Sequence, residues 1–277
     1  MDAFARCFLL VFAELYIGGF LALSVPPFHD IERGFYRSTA AVYLGAGILA
    51  WVGRVALVLQ APDGAAAARA HGIELLLWLI SLGAAAQYLR TLWGDDFRRR
   101  ARAYVLAWMT GVTALTVGAQ SFRLSPFLSV ETVLYPVSFL VSALVLGAVT
   151  NGMLLGHWYL IDRNMSLEPF QRVFRFFVIM LAIQGGLLLL GSGALQLLGA
   201  HASAAQLAQL FEAHGTLLTV RLLLSPLAAG GLAWMIWKTL QIPQTMAATG
   251  LFYIAILSVL VGELMSRFIL FRTSLPL

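Results

Sequence analysis

Ten ionisable side chains lie within or at the edges of long apolar stretches, and they are the best candidates for chemistry in this sequence. They are Glu14, Arg54, His71, Glu74, Glu131, His157, His214, Arg221, Glu263 and Arg267. A charged side chain at the centre of a lipid bilayer costs about 3 kcal/mol or more unless it faces protein, water or a partner. Each is therefore a hypothesis for a site that binds a polar head group or exchanges protons.

Glu263 is the most informative of these residues because its side chain is too short to reach the membrane surface. Arg267 follows one helical turn later and shares its helix face. An arginine, by contrast, can extend its long side chain to the interface and serve only as an anchor. We therefore expect Glu263 to have a functional or paired role inside the protein.

Two further pairs have helical spacing. His214 and Arg221 are seven residues apart and share a face, and His71 and Glu74 are neighbours three residues apart. We expect these four residues to surround one cavity together with Glu263 and its neighbouring arginine. The alternative is that both histidines only cap helix starts at the level of the head groups.

A second candidate site lies at His157, Trp158 and Tyr159. These residues follow Gly152 and Gly156, a spacing of small residues that lets a neighbouring helix approach closely. The cluster could bind a quinone or a lipid head group. It could equally be an interfacial aromatic belt beside a helix-packing seam.

The elements that carry these residues must be membrane-spanning helices. Of 277 residues, 60% are hydrophobic and only 11% are charged, which excludes a soluble domain. Backbone polar groups in lipid need internal partners, so long apolar runs form helices. The sequence predicts an all-α polytopic membrane protein with about eight spans. The runs cover residues 4–25, 39–60, 72–92, 103–121, 127–160, 174–199, 213–237 and 247–270.

The basic residues indicate orientation rather than nucleic-acid binding. They concentrate in the odd-numbered connections between spans: Arg33, Arg37, Arg98, Arg99, Arg100, Arg102, Arg163, Arg172, Arg175 and Lys238. Even-numbered connections hold only Arg69 and Arg123. The positive-inside rule therefore predicts that both termini lie outside. We expect a multi-pass protein of a bacterial inner membrane. The first run lacks a small-residue cleavage pattern, so we expect it to be a retained span.

Similar short segments recur in both parts of the chain. Residues 70–72 and 213–215 both read Ala-His-Gly and open the third and seventh runs, and similar echoes flank other spans. The sequence therefore predicts two related four-helix halves, residues 1–125 and 126–277. Four spans in each half give both halves the same orientation, with an axis along the membrane normal.

Metal and haem sites are not expected. The single cysteine, Cys7, excludes a disulfide or a cysteine-ligated cluster within the chain. His71 and His214 are the only plausible pair of haem ligands, and no second pair at inner depth accompanies them. Gly-rich phosphate loops and zinc-binding spacings are also absent from the sequence.

The last helix resembles that of a known family. Residues 248–253 read Ala-Thr-Gly-Leu-Phe-Tyr and residues 262–271 read Gly-Glu-Leu-Met-Ser-Arg-Phe-Ile-Leu-Phe. This pattern resembles the membrane anchor subunits of dimethyl sulfoxide reductase and polysulfide reductase, the NrfD-like group. The resemblance implies eight spans in two halves and an anchor that exchanges electrons between a quinone and an iron–sulfur or cytochrome subunit on the outer face.

For individual residues the resemblance implies a quinone pocket, for menaquinone or ubiquinone. Glu263 and Arg267 match the acid and the arginine of the last helix, while His71, Glu74, His214 and Arg221 are candidates by position only. Other membrane subunits and lipids are expected partners, and nucleic acid is not. Two alternatives remain open: a secondary transporter whose interior charges line a substrate path, and a purely structural membrane subunit.

Overall fold

The computed structural model describes residues 2–60, 64–124, 128–162, 165–199, 201–242 and 244–277, and these residues are helical with short connections and no strands. The helices are α1 (Asp2–Ala22), α2 (Arg33–Leu59), α3 (Gly64–Thr91), α4 (Phe97–Gln120), α5 (Val130–Ile161), α6 (Glu168–Leu198), α7 (His201–Ala213), α8 (Gly215–Leu222), a π-helical segment (Leu223–Ala228), α9 (Ala229–Gln241) and α10 (Thr245–Thr273). The expected all-α polytopic fold is confirmed.

The number of spans differs from the expected eight. Within the described chain, seven helices are long and apolar enough to cross a membrane, with α8, the π-helical segment and α9 counted as one. The fourth predicted span is α4. It is not apolar enough to be counted as a membrane span, because it begins with four arginines in six residues and ends with a glutamine. It still runs antiparallel along α3: Arg100 donates to the Gly94 carbonyl at one end, and Gly118 lies against Glu74 at the other.

Helix α5 lies at the centre of the bundle. Its 32 residues would extend about 48 Å at 1.5 Å per residue, beyond the roughly 30 Å of a hydrocarbon core. It packs against α1, α4, α6 and α10. Gly18 of α1 lies directly against the Ala143 carbonyl, and Gly147 lies against the backbone of Gly18. Backbone approaches backbone here, so neither glycine has room for a Cβ.

The seventh predicted span is interrupted. Pro226 lies within it, and the structure has a π-helical segment around this proline between α8 and α9. Proline has no N–H to donate, so the backbone around it must adopt a different hydrogen-bonding pattern. The wider turn places Ser225 inside the bundle, where its side chain is fully buried.

The two parts of the chain have the same order of helix neighbours. In the first part α1 contacts α2, α2 contacts α3 and α3 contacts α4; in the second part α5, α6, the α8–α9 span and α10 follow the same order. Two related four-helix halves would give this pattern, and the division remains a prediction. The proposed boundary between residues 125 and 126, like Arg163, lies outside the described residues.

The first helix begins and the last helix ends at the same end of the bundle. Arg6 near the start of α1 and Phe271 near the end of α10 line one pocket. The beginning of α1 and the end of α10 therefore share one end of the bundle. Which face of a membrane this end occupies remains a prediction from the distribution of arginines.

Candidate functional site

Four fully buried charged side chains meet between α1, α8 and α10. Glu14 Oε1 lies 2.7 Å from Arg267 Nη2, and Glu263 Oε1 lies 3.1 Å from Arg221 Nη1. The exposed fraction of each side chain is 2% or less. We call Glu14, Arg221, Glu263 and Arg267 the buried quartet. Its two carboxylates and two guanidinium groups can cancel in charge, which lowers the cost of removing them from water.

Uncharged polar groups extend the buried quartet towards α5 and α6. Gln184 Nε2 donates to Glu263 Oε1 at 2.8 Å, and its Oε1 accepts from the Ser225 hydroxyl at 3.1 Å. Ser142 lies 3.4 Å from the same amide nitrogen. The wider π-helical turn thus supplies one partner of the network, and Gln184 from α6 joins it to Glu263.

Hydrogen bonding within the buried quartet is incomplete. Glu263 Oε2, Arg221 Nε and Arg267 Nη1 are buried without a hydrogen-bond partner among the described residues. A buried polar atom without a partner costs free energy, commonly about 1–3 kcal/mol. These atoms have unused capacity to bind water or to exchange a proton.

A second ionic group lies near the start of α3. Arg54 Nη2 of α2 lies 2.9 Å from Glu74 Oε2, and His71 Nδ1 lies 3.5 Å from the same oxygen. We call Arg54, His71 and Glu74 the rim cluster. The exposed fractions of their side chains are 29%, 35% and 10%, so the rim cluster reaches water where the buried quartet does not.

The rim cluster borders a narrow pocket with about 40 Å³ of space for water-sized molecules. Glu74 and Arg54 are its principal polar groups, and Trp51 and Trp78 form aromatic walls. The remaining walls are mostly apolar, from α1, α2, α4, the turn after α4, α5 and α10: Leu9, Leu10, Ala13, Ala50, Leu57, Leu115, Gly118, Phe122, Phe139 and Phe271, with Arg6. Arg54 Nε is buried without an acceptor, so the pocket has an unused donor at its polar side.

Phe139 connects the two ionic groups. It lines the pocket, and its ring centre lies 4.4 Å from the guanidinium carbon of Arg267. A cation over an aromatic face is stabilised by the ring quadrupole, most strongly where water is excluded. The rim cluster and the buried quartet are therefore neighbours separated by one ring, not members of one open cavity.

The six residues that were expected around one cavity are thus divided between separate places. Three predicted residues, Glu263, Arg267 and Arg221, belong to the buried quartet, and two, His71 and Glu74, belong to the rim cluster. Arg267 pairs with Glu14 instead of with its own helix neighbour. His214 belongs to neither group: it precedes α8 and its side chain has no ion pair or hydrogen bond within the described chain.

The second predicted site lies where α5 ends, near the start of α10. His157 Nδ1 and the Tyr253 hydroxyl lie 3.3 Å apart. Tyr159 donates to the Ser166 carbonyl at 2.5 Å. Trp158 packs its ring against Phe35, and its indole nitrogen has no partner in the described structure. The three side chains have separate contacts.

Several important residues were not selected from the sequence. Glu14 and Arg54 were recognised as ionisable groups in apolar runs but were not assigned to a site. Gln184 and Ser225 were missed. Gln184 is the only large polar side chain in the central part of its run, which is a usable signal, whereas the burial of Ser225 follows from the π-helical turn.

Among the described residues no three histidine, cysteine or acidic side chains lie close enough to hold a metal ion. Comparisons with protein-family models, curated proteins and solved structures gave no match to this chain. The class of the protein is therefore defined by its fold: a polytopic all-α membrane protein with a buried charge network. The resemblance of the last helix to NrfD-like anchors stays a prediction.

Proposed function

We propose that this chain is an integral membrane subunit of a respiratory electron-transfer complex and binds a quinone, menaquinone or ubiquinone, in the pocket beside the rim cluster. The observation that carries the proposal is Arg54, which lines an apolar pocket with a buried Nε–H that has no acceptor. A quinone carbonyl needs such a donor, and the side chains around the narrow pocket must move apart to admit the ring. The flat rings of Trp51 and Trp78 suit a planar head group.

In this proposal the side chains of the protein have supporting roles in the redox chemistry. A bound quinone carries the redox change, and the surrounding side chains orient it and give protons access. In this proposal Arg54 donates to one carbonyl oxygen, and Glu74 takes up or releases protons. His71, which contacts Glu74 and is partly exposed, connects that carboxylate with water. The apolar residues of α1 and α4 accommodate the isoprenoid tail.

The proposed partner is an iron–sulfur or cytochrome subunit on the outer face of a bacterial inner membrane, with both termini on that face. The position of the pocket supports a partner at the end of the bundle where both termini lie, because Arg6 of α1 and Phe271 of α10 line the pocket. A quinone held there would be close to a protein docked at that end. Other membrane subunits and lipids complete the proposed complex, and no haem is assigned to this chain.

Quinone binding is tested by titrating the purified protein with a short-chain quinone analogue and measuring tryptophan fluorescence. We expect saturable quenching whose amplitude falls in Trp78→Phe. Arg54→Gln should weaken binding about tenfold, because a hydrogen bond from a charged donor contributes about 1.5 kcal/mol. Arg175→Gln, an exposed arginine on α6, is the matched control and should bind as the wild type does.

Unsaturable quenching, or equal affinity in Arg54→Gln, would reject the quinone pocket and leave a structural subunit. The electron-transfer assignment has a separate test. A tagged chain, purified from its native membrane, should carry a partner with an iron–sulfur or cytochrome spectrum. A complex without any redox-active partner contradicts that assignment even if quinone binds.

A secondary transporter is the second candidate. The interrupted α8–α9 span supports it, because transporters often bind substrates where a spanning helix is discontinuous. Arg221 immediately precedes this interruption and Ser225 lies within it, both buried. Uptake by proteoliposomes that depends on Arg221 but not on Arg54 would favour transport over quinone binding.

A further inference from the structure

The turn between α3 and α4 is held by three arginines from α2 and α4. Arg33 Nη1 and Arg100 Nη2 both donate to the Gly94 carbonyl, at 3.2 and 2.7 Å. Arg37 donates to the Leu92 carbonyl at 3.0 Å and lies over the Trp93 ring. These three arginines are used to fix the backbone of the turn, so its geometry is well defined.

Four other arginines surround the same turn and are exposed: Arg90, Arg98, Arg99 and Arg102. Arg90, Arg98 and Arg102 have no ion pair with any described residue. The two nearby acids are already engaged. Asp95 pairs with Arg33 at 2.8 Å, and Asp96 caps α4 by accepting the Arg99 backbone N–H at 2.9 Å. The surface therefore has an excess of positive charge.

A pocket of about 250 Å³ opens within this surface. It is lined by Gln87, Arg90, Thr91, Gly94, Asp96 and Arg99. The Gln87 side-chain oxygen accepts from Arg99 Nε and Nη2 at 2.8 and 3.0 Å in the amide orientation that satisfies both groups, which holds this guanidinium in place. Asp96 is the single carboxylate among the lining residues, and its position at the start of α4 offsets its charge.

Two large aromatic side chains project beside the pocket. The exposed fractions of Trp93 and Phe97 are 63% and 71%. The turn lies where α3 ends and α4 begins, which is the level at which aromatic side chains meet lipid head groups. Basic residues combined with exposed aromatic rings at the end of a span match the two parts of a phospholipid: an anionic head and an apolar body.

We propose that the pocket between the end of α3 and the start of α4 binds the phosphate head group of an anionic membrane phospholipid. Arg90 and Arg99 bind the phosphate oxygens, and Thr91 and Gln87 border the head group. Trp93 and Phe97 lie along the upper acyl chains. Basic pockets at the cytoplasmic ends of spans are common sites for such lipids. This proposal is independent of quinone binding.

The lipid is favoured over an acidic protein because of the aromatic residues. An acidic protein surface would neutralise the arginines but leave Trp93 and Phe97 without an apolar partner. A phospholipid satisfies both. Arg98 and Arg102, which lie outside the pocket, contribute general attraction to an anionic bilayer surface.

The test measures the midpoint of thermal unfolding in detergent with added cardiolipin or phosphatidylglycerol, and with phosphatidylcholine as the neutral lipid. We expect saturable stabilisation by the anionic lipids only. Arg90→Gln/Arg99→Gln should raise the half-saturating concentration about 30-fold, since each arginine at an anionic surface contributes about fivefold. Arg172→Gln/Arg175→Gln removes two exposed arginines from α6 and should behave as the wild type does.

The lysine variant Arg90→Lys/Arg99→Lys covers the case in which the glutamine variant fails to fold. It keeps both charges and loses the two-pronged geometry, so an intermediate affinity is expected. Equal protection by inorganic phosphate would show a small-anion site and overturn the lipid assignment. Equal stabilisation by phosphatidylcholine, or an equal loss in the α6 variant, would overturn it as well.

Discussion

The buried quartet and the rim cluster use the same kinds of side chain in different surroundings. Both pair an arginine with a glutamate at about 3 Å. The buried quartet is sealed from water and surrounded by α5, α6 and the π-helical segment, whereas Arg54 and His71 of the rim cluster are about one-third exposed. The comparison favours a structural role for the buried quartet, and we propose that binding and proton exchange belong to the rim cluster.

The largest predicted effect comes from breaking one pair of the buried quartet. Arg267→Met leaves Glu14 as an uncompensated buried charge, and we expect a loss of about 3–5 kcal/mol in the free energy of unfolding. Glu14→Gln/Arg267→Met removes both charges and should restore most of that loss. The measurement is denaturant unfolding in mixed micelles. If the double variant is as unstable as the single one, the pair is not the cause.

An intermediate effect is predicted for Gly262, which lies beside the buried quartet. In Gly262→Ala the new Cβ would lie 2.7 Å from the Ser225 Cβ and 3.1 Å from its backbone nitrogen, so helices must separate. We expect a loss of about 1–3 kcal/mol in the free energy of unfolding.

Gly118→Ala is the matched change beside the rim cluster. Its Cβ would lie 3.1 Å from Glu74 Oε1, the movable end of a side chain. Alanine also favours helix by about 1 kcal/mol over glycine. We therefore expect nearly unchanged stability in the same unfolding measurement. An equal loss in both variants would contradict the difference in rigidity between the two groups.

A small effect on stability is also predicted when the ion pair of the rim cluster is removed. Arg54→Met breaks the pair with Glu74, but water can solvate the remaining carboxylate. We expect a loss of less than about 1 kcal/mol, as for other partly exposed ion pairs. Unfolding of this variant under the conditions used for Arg267→Met provides the direct comparison. A loss as large as that of Arg267→Met would mean that the rim cluster is also structural.

The helices were predictable because a bilayer leaves an apolar chain few alternatives. Lipid supplies no hydrogen bonds to the backbone, so each apolar run indicates a helix. The number of spans was harder to predict than the helices, since α4 combines arginines at its start with threonines and a glutamine further on. Its close packing along α3 depends on tertiary contacts, such as that between Gly118 and Glu74, which composition does not report.

The partners of the charged residues were harder to predict than their burial. Glu263 was expected inside the protein because its side chain is short. That it faces Arg221, and that Arg267 faces Glu14 at the other end of the chain, depends on which helices are adjacent. Spacing along one helix shows which side chains share a face, but it does not identify the helix opposite. The contact between Ser225 and Gln184, which forms at the π-helical turn around Pro226, likewise depends on which helices are adjacent.

Phe139 makes the two ionic groups sensitive to each other without joining them. Its ring is a wall of the pocket and also the surface on which the Arg267 guanidinium rests. An aromatic ring blocks the passage of water and ions, yet an electric field crosses it. Any charge or dipole brought into the pocket is therefore felt by a cation that no solvent molecule in the pocket can touch.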